Sequence, residues 1–517
     1  MNYFKTYFII TIIFGGITTL AMPPWGYVML LWITLPAIII CINKTKNKIE
    51  AFFLGWAFGF GHFITSFAWI GEAFTIEVDK FGIFMVPAIL CLAIGFAIYI
   101  GMVTLLQHIL NHEIKQLIPN HKSSFLICNI IMFGCSWTAV EWLRGILFTG
   151  FPWNPIGSIW VDVPEILSAT SYVGVYGATL VTIISCGSIS ILNIREKWRP
   201  QISVLCLCHI PLILMFASGA FQLVNNTITM VPEVVLRLIQ PNIAQADKWK
   251  PGLKDQHILK QIQMSQDSSE HVTHFIWPEA AIPYALNQSN QVRQMIMSAI
   301  PKNKTLLSGA PRLERVLDKN KIFNSFFALN NDGDILAYYD KTHLVPFGEY
   351  NPLGRVLPIS GLTGSSFTPG QRLKTIQLPS LPSFTPLICY EIIFSGYVTE
   401  KADRPKWLLN ITNDGWFGLS SGPHQHLAAA RFRAAEEGLP VIRVANTGIS
   451  AVIDPRGRIL KKIGIGTEGF LDTALPNPLT PTWFSKYKNI PLLLLLAIVF
   501  SITATNIIIH KTKKKFN

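Results

Sequence analysis

The chain is short of charge. Of its 517 residues only 14% are Asp, Glu, Lys or Arg, while 50% are hydrophobic. With a mean hydropathy of +0.38, that scarcity excludes an ordinary soluble protein and points to an integral membrane protein. Acidic residues are the scarcer sign, 30 against 43 Lys and Arg. Cysteine is scarce where it would matter for disulfides. Cys41, Cys91, Cys128, Cys135, Cys186, Cys206 and Cys208 lie in or beside apolar runs, and Cys389 alone falls in the more polar stretch from Val224 to Lys488. That excludes an intradomain disulfide there and makes a free reactive thiol the thing to test. Internal repeats and low-complexity segments are also absent. Metal-ligand clusters are thin. Cys206-Leu207-Cys208-His209 lies in an apolar run whose neighbours point to different faces, so it reads as packing. His424 and His426 flank one Gln with no further ligands nearby in the chain, so neither a metal nor a cofactor is expected.

What is abundant is apolar runs near the roughly 20 residues a helix needs to cross a bilayer. Eight are expected: Tyr7–Met22, Tyr27–Ile42, Ala51–Ile70, Phe84–Leu106, Phe125–Val140, Val173–Leu192, Ile202–Phe221 and Ile490–Ile509. Lys5 before the first run gives it the look of a leader. Pro23-Pro24-Trp25 leads straight into the second run, so a retained hairpin is expected. The organisation is then a membrane domain over 1–222, an extracytoplasmic globular domain over 223–488, and a last span with a basic tail over 489–517. Charge sets the orientation. With both termini in the cytoplasm, the inside segments hold Lys5, Lys44, Lys46, Lys48, Lys115, Lys122, Arg195, Lys197, Arg199, Lys511, Lys513, Lys514 and Lys515, against Glu50, Glu113 and Glu196. This is the positive-inside pattern. It accounts for the basic balance without nucleic acid as a partner. In the outer loop at 142–155, Trp142 and Trp153 fit interfacial anchors, and Arg144 beside the bilayer suggests a partner such as a lipid phosphate or an acid, so Arg144 and Trp153 are candidate lipid-binding residues.

The globular stretch alternates strand-like and helix-like runs, which implies an α/β domain. Strands are expected at Val234–Ile239, Thr273–Trp277, Leu306–Ser308, Asn324–Leu329, Ile335–Tyr339, Trp407–Thr412, Val441–Ala445 and Ser450–Ile453, and helices at Gln256–Gln266 and Gln425–Glu437. Pro278-Glu279 also fits an ordinary helix first turn. The apolar run from Thr385 to Ile388 reads as a buried strand that delivers Cys389 to a turn. A buried core cysteine is the commoner fate of such a residue.

Company elsewhere in the chain favours chemistry. Trp277-Pro278-Glu279, Asp340-Lys341 and Cys389-Tyr390-Glu391 place a Glu, a Lys and a Cys each at the end of an expected strand. This set resembles the triad of the nitrilase, or carbon–nitrogen hydrolase, superfamily. With the apolar runs around it, the chain resembles the bacterial apolipoprotein N-acyltransferase family over essentially its whole length. The likeness is carried by 277–284, 339–352, 389–396 and 413–446 together.

The resemblance implies a nitrilase-like αββα sandwich between the seventh and eighth helices of an all-α, eight-span membrane domain. It implies a place in the bacterial inner membrane with the catalytic domain on the periplasmic side. The activity it implies is the last step of lipoprotein maturation. A fatty acyl chain passes from a phospholipid, typically phosphatidylethanolamine, to the α-amino group of the diacylglyceryl-cysteine of an apolipoprotein. Glu279 would act as general base, Cys389 as nucleophile forming a thioester, and Lys341 with the following backbone N–H as oxyanion donors. Glu349 would orient Lys341 or Glu279, and Tyr390 and Glu391 would shape the pocket. Trp249 would line the lipid entry, Asn413, Trp416 and Phe417 would lie near the site, and the Leu353–Gly370 loop could form a lid. A membrane-anchored amidase would use the same triad with water as acceptor. A transporter or receptor with an outer binding domain is a poorer match, because the expected spans hold few charges.

Overall fold

The computed structural model describes residues 2–118, 122–193, 198–225, 227–316, 319–352, 366–400 and 402–516. Residues 353–365 of the expected lid, and Arg195 and Lys197 of the inside charges, lie outside the described residues. The chain forms two compact units, Met1–Asn225 with Thr482–Asn517, and Asn226–Pro481.

The first unit begins with helices α1 (Asn2–Thr19), α2 (Leu31–Ile42), α3 (Lys48–Ser66), the short α4 (Glu72–Thr75) and α5 (Val78–Phe81), then α6 (Met85–Leu117), α7 (Lys122–Arg144), α8 (Pro164–Gly187) and α9 (Trp198–Asn225). α1 and α3 approach through glycine. A Cβ on Gly15 would stand 1.9 Å from the Phe58 carbonyl oxygen, and one on Gly61 1.9 Å from that of Ile12. Small residues permit such close helix packing in a membrane.

The second unit runs β1 (Met230–Gln240), α10 (Lys254–Gln266), β2 (His274–Ile276), α11 (Asn290–Ala299), β3 (Thr305–Val316), β4 (Lys319–Leu329), β5 (Ile335–Asp340), β6 (Ile376–Leu378), β7 (Leu381–Ile388), β8 (Trp407–Thr412), α12 (Gly422–Glu437), β9 (Val441–Ala445), β10 (Ser450–Ile453), β11 (Ile459–Ile463) and β12 (Gly469–Pro476). The first unit then closes with α13 (Trp483–Tyr487) and α14 (Ile490–Phe516).

Among the described residues, five helical stretches are long and apolar enough to cross a membrane: Val78–Leu117, Ser124–Arg144, Pro164–Asn193, Trp198–Asn225 and Ile490–Lys514. Lys48–Ser66 with Ala68–Thr75 makes a sixth only as a pair bent by 49°. The first two expected spans are shorter apolar helices, Phe4–Thr19 and Val28–Ile42. The prolines at 23 and 24 cannot continue α1, which ends at Thr19. The boundary expected at residue 488 falls earlier, at Thr482. Phe484 of α13 is fully buried, lying where a Cβ on Gly174 of α8 would come within 2.3 Å of its ring.

Two six-stranded mixed sheets build the second unit, in the orders β12-β1-β2-β3-β4-β5 and β11-β10-β9-β8-β7-β6. The parallel ladders are β1–β2–β3 and β7–β8–β9. Side chains alternate across each strand, and the core shows it. Leu236, Leu238, Ile276, Leu307 and Phe326 of the first sheet meet Phe384, Trp407, Ile411, Ile442 and Val452 of the second. The residues between them on the same strands, Ile239, Phe275, Leu306 and Phe327, pack instead with Ile258 and Ile262 of α10 and Ile296 of α11. Glu279, Lys341 and Cys389 follow the C-terminal ends of β2, β5 and β7.

Candidate active site

Cys389 is the first residue after β7 and has φ of +52°. A residue with a side chain pays for that conformation, so the surroundings must hold it. They do so at its carbonyl. His426 of α12 donates from Nε2 to the Cys389 oxygen at 3.0 Å. The His426 Nδ1 lies 2.9 Å from Asp414 Oδ1 and 3.2 Å from Arg443 Nη2, and Arg443 pairs with Asp414 Oδ2 at 2.6 Å. All three side chains are fully buried. Burial would push Asp414 up, but Arg443 and His426 outweigh it and hold its carboxyl well below the ordinary range.

Glu279 lies in a turn after β2, not in a helix, which corrects the alternative of a helix first turn. The turn is pressed onto β3. A Cβ on Gly309 would stand 2.7 Å from the Glu279 Cα and 2.6 Å from the Ala280 nitrogen. Gly309 donates its N–H to the Pro278 carbonyl at 3.1 Å. Glu279 is 6% exposed and its Oε1 accepts from Asn324 Nδ2 at 2.7 Å. The same amide donates to Glu349 Oε1 at 2.9 Å.

Lys341 is buried, with its Nζ 2.9 Å from Glu349 and 3.7 Å from Glu279 Oε1. Burial lowers the pKa of an ammonium, but here Glu349 and Glu279 overcome that and hold Lys341 well above its usual value. It is a fixed cation. Glu349 also accepts the Val345 N–H at 2.8 Å.

Glu391 ties the two arms together. Its Oε1 accepts from Tyr339 OH, the Thr342 N–H and the Thr342 hydroxyl at 2.7, 2.7 and 2.8 Å, and its Oε2 accepts the Ile388 N–H at 2.8 Å. One carboxylate thus joins the segment carrying Lys341 to the strand carrying Cys389. The Cys389 thiol itself is pushed well up, first by burial and then by Glu279, against the pull of Lys341. At neutral pH it rests as a thiol and needs a base when it attacks.

The sequence is similar to known proteins along both units. The family profile described as apolipoprotein N-acyltransferase N-terminal domain matches residues 14–188, and that of carbon-nitrogen hydrolase matches 236–483. The apolipoprotein N-acyltransferase of Rhodopseudomonas palustris is 36% identical over 95% of this chain and 93% of its own. That of Bradyrhizobium diazoefficiens is 35% identical over the same shares, 95% and 93%. The chain belongs to the apolipoprotein N-acyltransferase family. It is a membrane-bound acyltransferase with a nitrilase-superfamily fold in its second unit. Among solved structures, a variant of the Nesterenkonia AN1 amidase of the nitrilase superfamily aligns over 48% of this chain and 94% of its own, with 16% identity and a TM-score of 0.36.

In this N-acyltransferase chain the structure joins Glu279, Lys341 and Glu349 through Asn324 into one network beside Cys389, while Glu391 bonds separately to the Thr342 and Ile388 N–H groups. Tyr390 is buried and packs edge-on against Phe394 at 5.2 Å. Asn413 is a clasp, donating to Gln245 at 2.7 Å and accepting from Asn446 at 3.0 Å. Trp416 and Phe417 are half-buried on the next turn, Phe417 edge-on to His426 at 6.0 Å. Trp249 is 42% exposed in the loop after β1. In the other unit, Arg144 and Trp153 are buried and hold their own loop. Arg144 donates to the Phe151 and Trp153 carbonyls at 3.1 and 2.8 Å, and Trp153 packs on Trp69 at 4.6 Å. Trp153 is therefore not an exposed interfacial anchor.

Asn324, Asp414, His426 and Arg443 escape a reading of sequence spacing. Asn324 is an ordinary strand residue until β4 sets it beside two acids. His426, expected without further ligands, meets Asp414 and Cys389, with potential ligand atoms within 4.8 Å of one another. The donor set does not suit a metal. Asp414 is taken by Arg443, Thr412 and His426, and the His426 Nε2 by the Cys389 carbonyl.

Proposed function

We propose that the enzyme transfers a fatty acyl chain from a phospholipid, typically phosphatidylethanolamine, through a Cys389 thioester, to the α-amino group of the diacylglyceryl-cysteine of an apolipoprotein. The observation that carries this reading is the juxtaposition of a protonated thiol at a positive-φ turn with a buried Glu279–Asn324–Glu349–Lys341 network. Glu279 takes the thiol proton as the sulfur attacks the ester carbonyl. The tetrahedral oxyanion is met by the Lys341 ammonium and the Tyr390 N–H. Collapse breaks the C–O bond, and Glu279 returns the proton to the departing alcohol, which leaves as lysophospholipid. The incoming amine then attacks the thioester and gives a proton to Glu279, and the thiol is restored as the amide forms.

Burial of Cys389, Glu279 and Lys341 supports transfer over hydrolysis, because water must be kept from the thioester. Trp249, Trp416 and Phe417 are the side chains we assign to acyl-chain contact. Glu349, Tyr390 and Glu391 support the triad, and Asn413 holds the loop beside it. We place the protein in the bacterial inner membrane, as its family membership implies, with the catalytic unit periplasmic and both termini cytoplasmic on the charge pattern of the segments between its apolar runs.

The test is intact-protein mass spectrometry after incubation with phosphatidylethanolamine alone. The expected result is a gain of one acyl chain, released by neutral hydroxylamine and absent from Cys389→Ala. A folded enzyme that releases free fatty acid without accumulating or transferring an acyl group would replace this reading with a hydrolase.

A further inference from the structure

One buried charge beside the site has no part in this scheme. Lys248 lies in the loop between β1 and α10, 3% exposed. Its ammonium donates to the Glu279 main-chain carbonyl at 2.9 Å. An ammonium has three donors, and among the described residues this is its one hydrogen bond, with no carboxylate in ion-pair range. Burying an uncompensated cation is costly. Burial pulls the Lys248 pKa down to about 8, against the charges of Glu279 and Cys389, the two groups it senses.

The charge balance shows what this cation does. Glu279 faces the thiol from the turn after β2, Lys341 from the end of β5, and Asp414 from the end of β8. Asp414 is already matched by Arg443. Lys341 is shared between Glu349 and Glu279. Two carboxylates thus stand against one ammonium, and a thiolate would add a third negative charge. Apart from Lys341, already shared between two acids, Lys248 is the cation that senses both Glu279 and Cys389.

We propose that Lys248 is a positioning residue of the site: it holds the Glu279 turn by its carbonyl and stabilises the Cys389 thiolate as the proton leaves. This rests on Cys389 as nucleophile and Glu279 as its base.

The test is the alkylation rate of Cys389 by iodoacetamide, followed on its peptide by mass spectrometry. The full-length enzyme in detergent is compared with Lys248→Met and Lys248→Arg from about pH 6 to about pH 10. Lys248→Met is expected to react about tenfold more slowly at pH 7, the effect of losing one neighbouring opposite charge. The gap should close above about pH 9, where Lys248 itself is neutral. Lys248→Arg keeps its charge, so it should overtake the parent there. Thermal unfolding reports whether each variant folds. If Lys248→Met does not fold, the Lys248→Arg profile decides alone. Rates equal to the parent at every pH, or a slowdown constant across pH, would overturn the proposal. Alkylation needs neither lipid nor apolipoprotein. Normal Lys248 dependence with no thioester would sink the acyl-transfer reading and leave this one standing.

Discussion

At Asn324 a single side-chain amide serves two acids, Glu279 at 2.7 Å and Glu349 at 2.9 Å. The amide can donate to both, and it adds no charge between them. Asn324→Asp would put a third carboxylate in a buried cluster whose nearest cation is Lys341. Neighbouring carboxylates raise one another's proton affinity, so the buried cluster as a whole would take up a proton at higher pH. The expected outcome is an acid limb of the pH–rate profile for acyl-enzyme formation moved up by about one pH unit or more, measured by rapid quench and mass spectrometry. Glu279→Gln removes the base and should slow acyl-enzyme formation by about 10²-fold or more. The Glu, Lys and Cys stand out in the sequence only as a set that resembles the nitrilase triad; each alone fits a structural role. Asn324 and Lys248 do not stand out. Their residue types are common on surfaces, and only the fold shows that both are buried beside Glu279.

At the scale of elements, the Glu391 carboxylate pins the end of β5 to the end of β7. Glu391→Ala would strand the Thr342 and Ile388 N–H groups. Unsatisfied buried donors cost about 1–3 kcal/mol each, so a clear loss of stability is expected in thermal or denaturant unfolding, with Cys389 misplaced in whatever stays folded. α12 and β8 hold the nucleophile from below through His426 and Asp414. The Asp414 pKa is depressed in the folded state. Its contribution to stability is therefore complete above its unfolded value of about 4 and is lost as pH falls toward the folded one. Melting temperature should drop as acid is added below about pH 4, and Asp414→Asn should melt lower at pH 7 yet lose less on acidification.

β8, β9 and β10 stand where the apolar runs predict them, because parallel and central strands carry unbroken Val, Ile and Leu. The apolar pattern does not predict β12. It pairs antiparallel with β1 across most of the domain's length, Leu236 opposite Thr473, and its residues are largely half-buried, so the local apolar signal is weak. β6, only Ile376–Leu378, is too short to leave a period.

For the whole molecule, the compact units divide at Asn226 and Thr482, with α13 in the helical unit, where composition draws its boundaries at 223 and 489. The first two apolar runs are already short in the sequence, and they form the shorter helices Phe4–Thr19 and Val28–Ile42. The basic residues between the runs make a prediction about sidedness. An alkaline phosphatase fused in the Asn331–Gly333 turn between β4 and β5 should be active in a bacterial host, and one fused after Lys514 inactive. The reverse result would invert the proposed topology. The second unit has its own two-sheet core. Expressed as 226–481 it should fold and keep an alkylatable Cys389, and comparison with the full chain would show what the helical unit adds to acyl transfer.

The resting state of the nucleophile also bears on inhibition. Cys389 is the sole thiol of its unit and is held protonated by its surroundings. A weak electrophile that waits for a pre-formed thiolate would find its targets on other, more acidic cysteines first. A selective drug against this enzyme would carry an acyl-like tail and an ester-like warhead, and let Glu279 arm the sulfur only after the compound has docked.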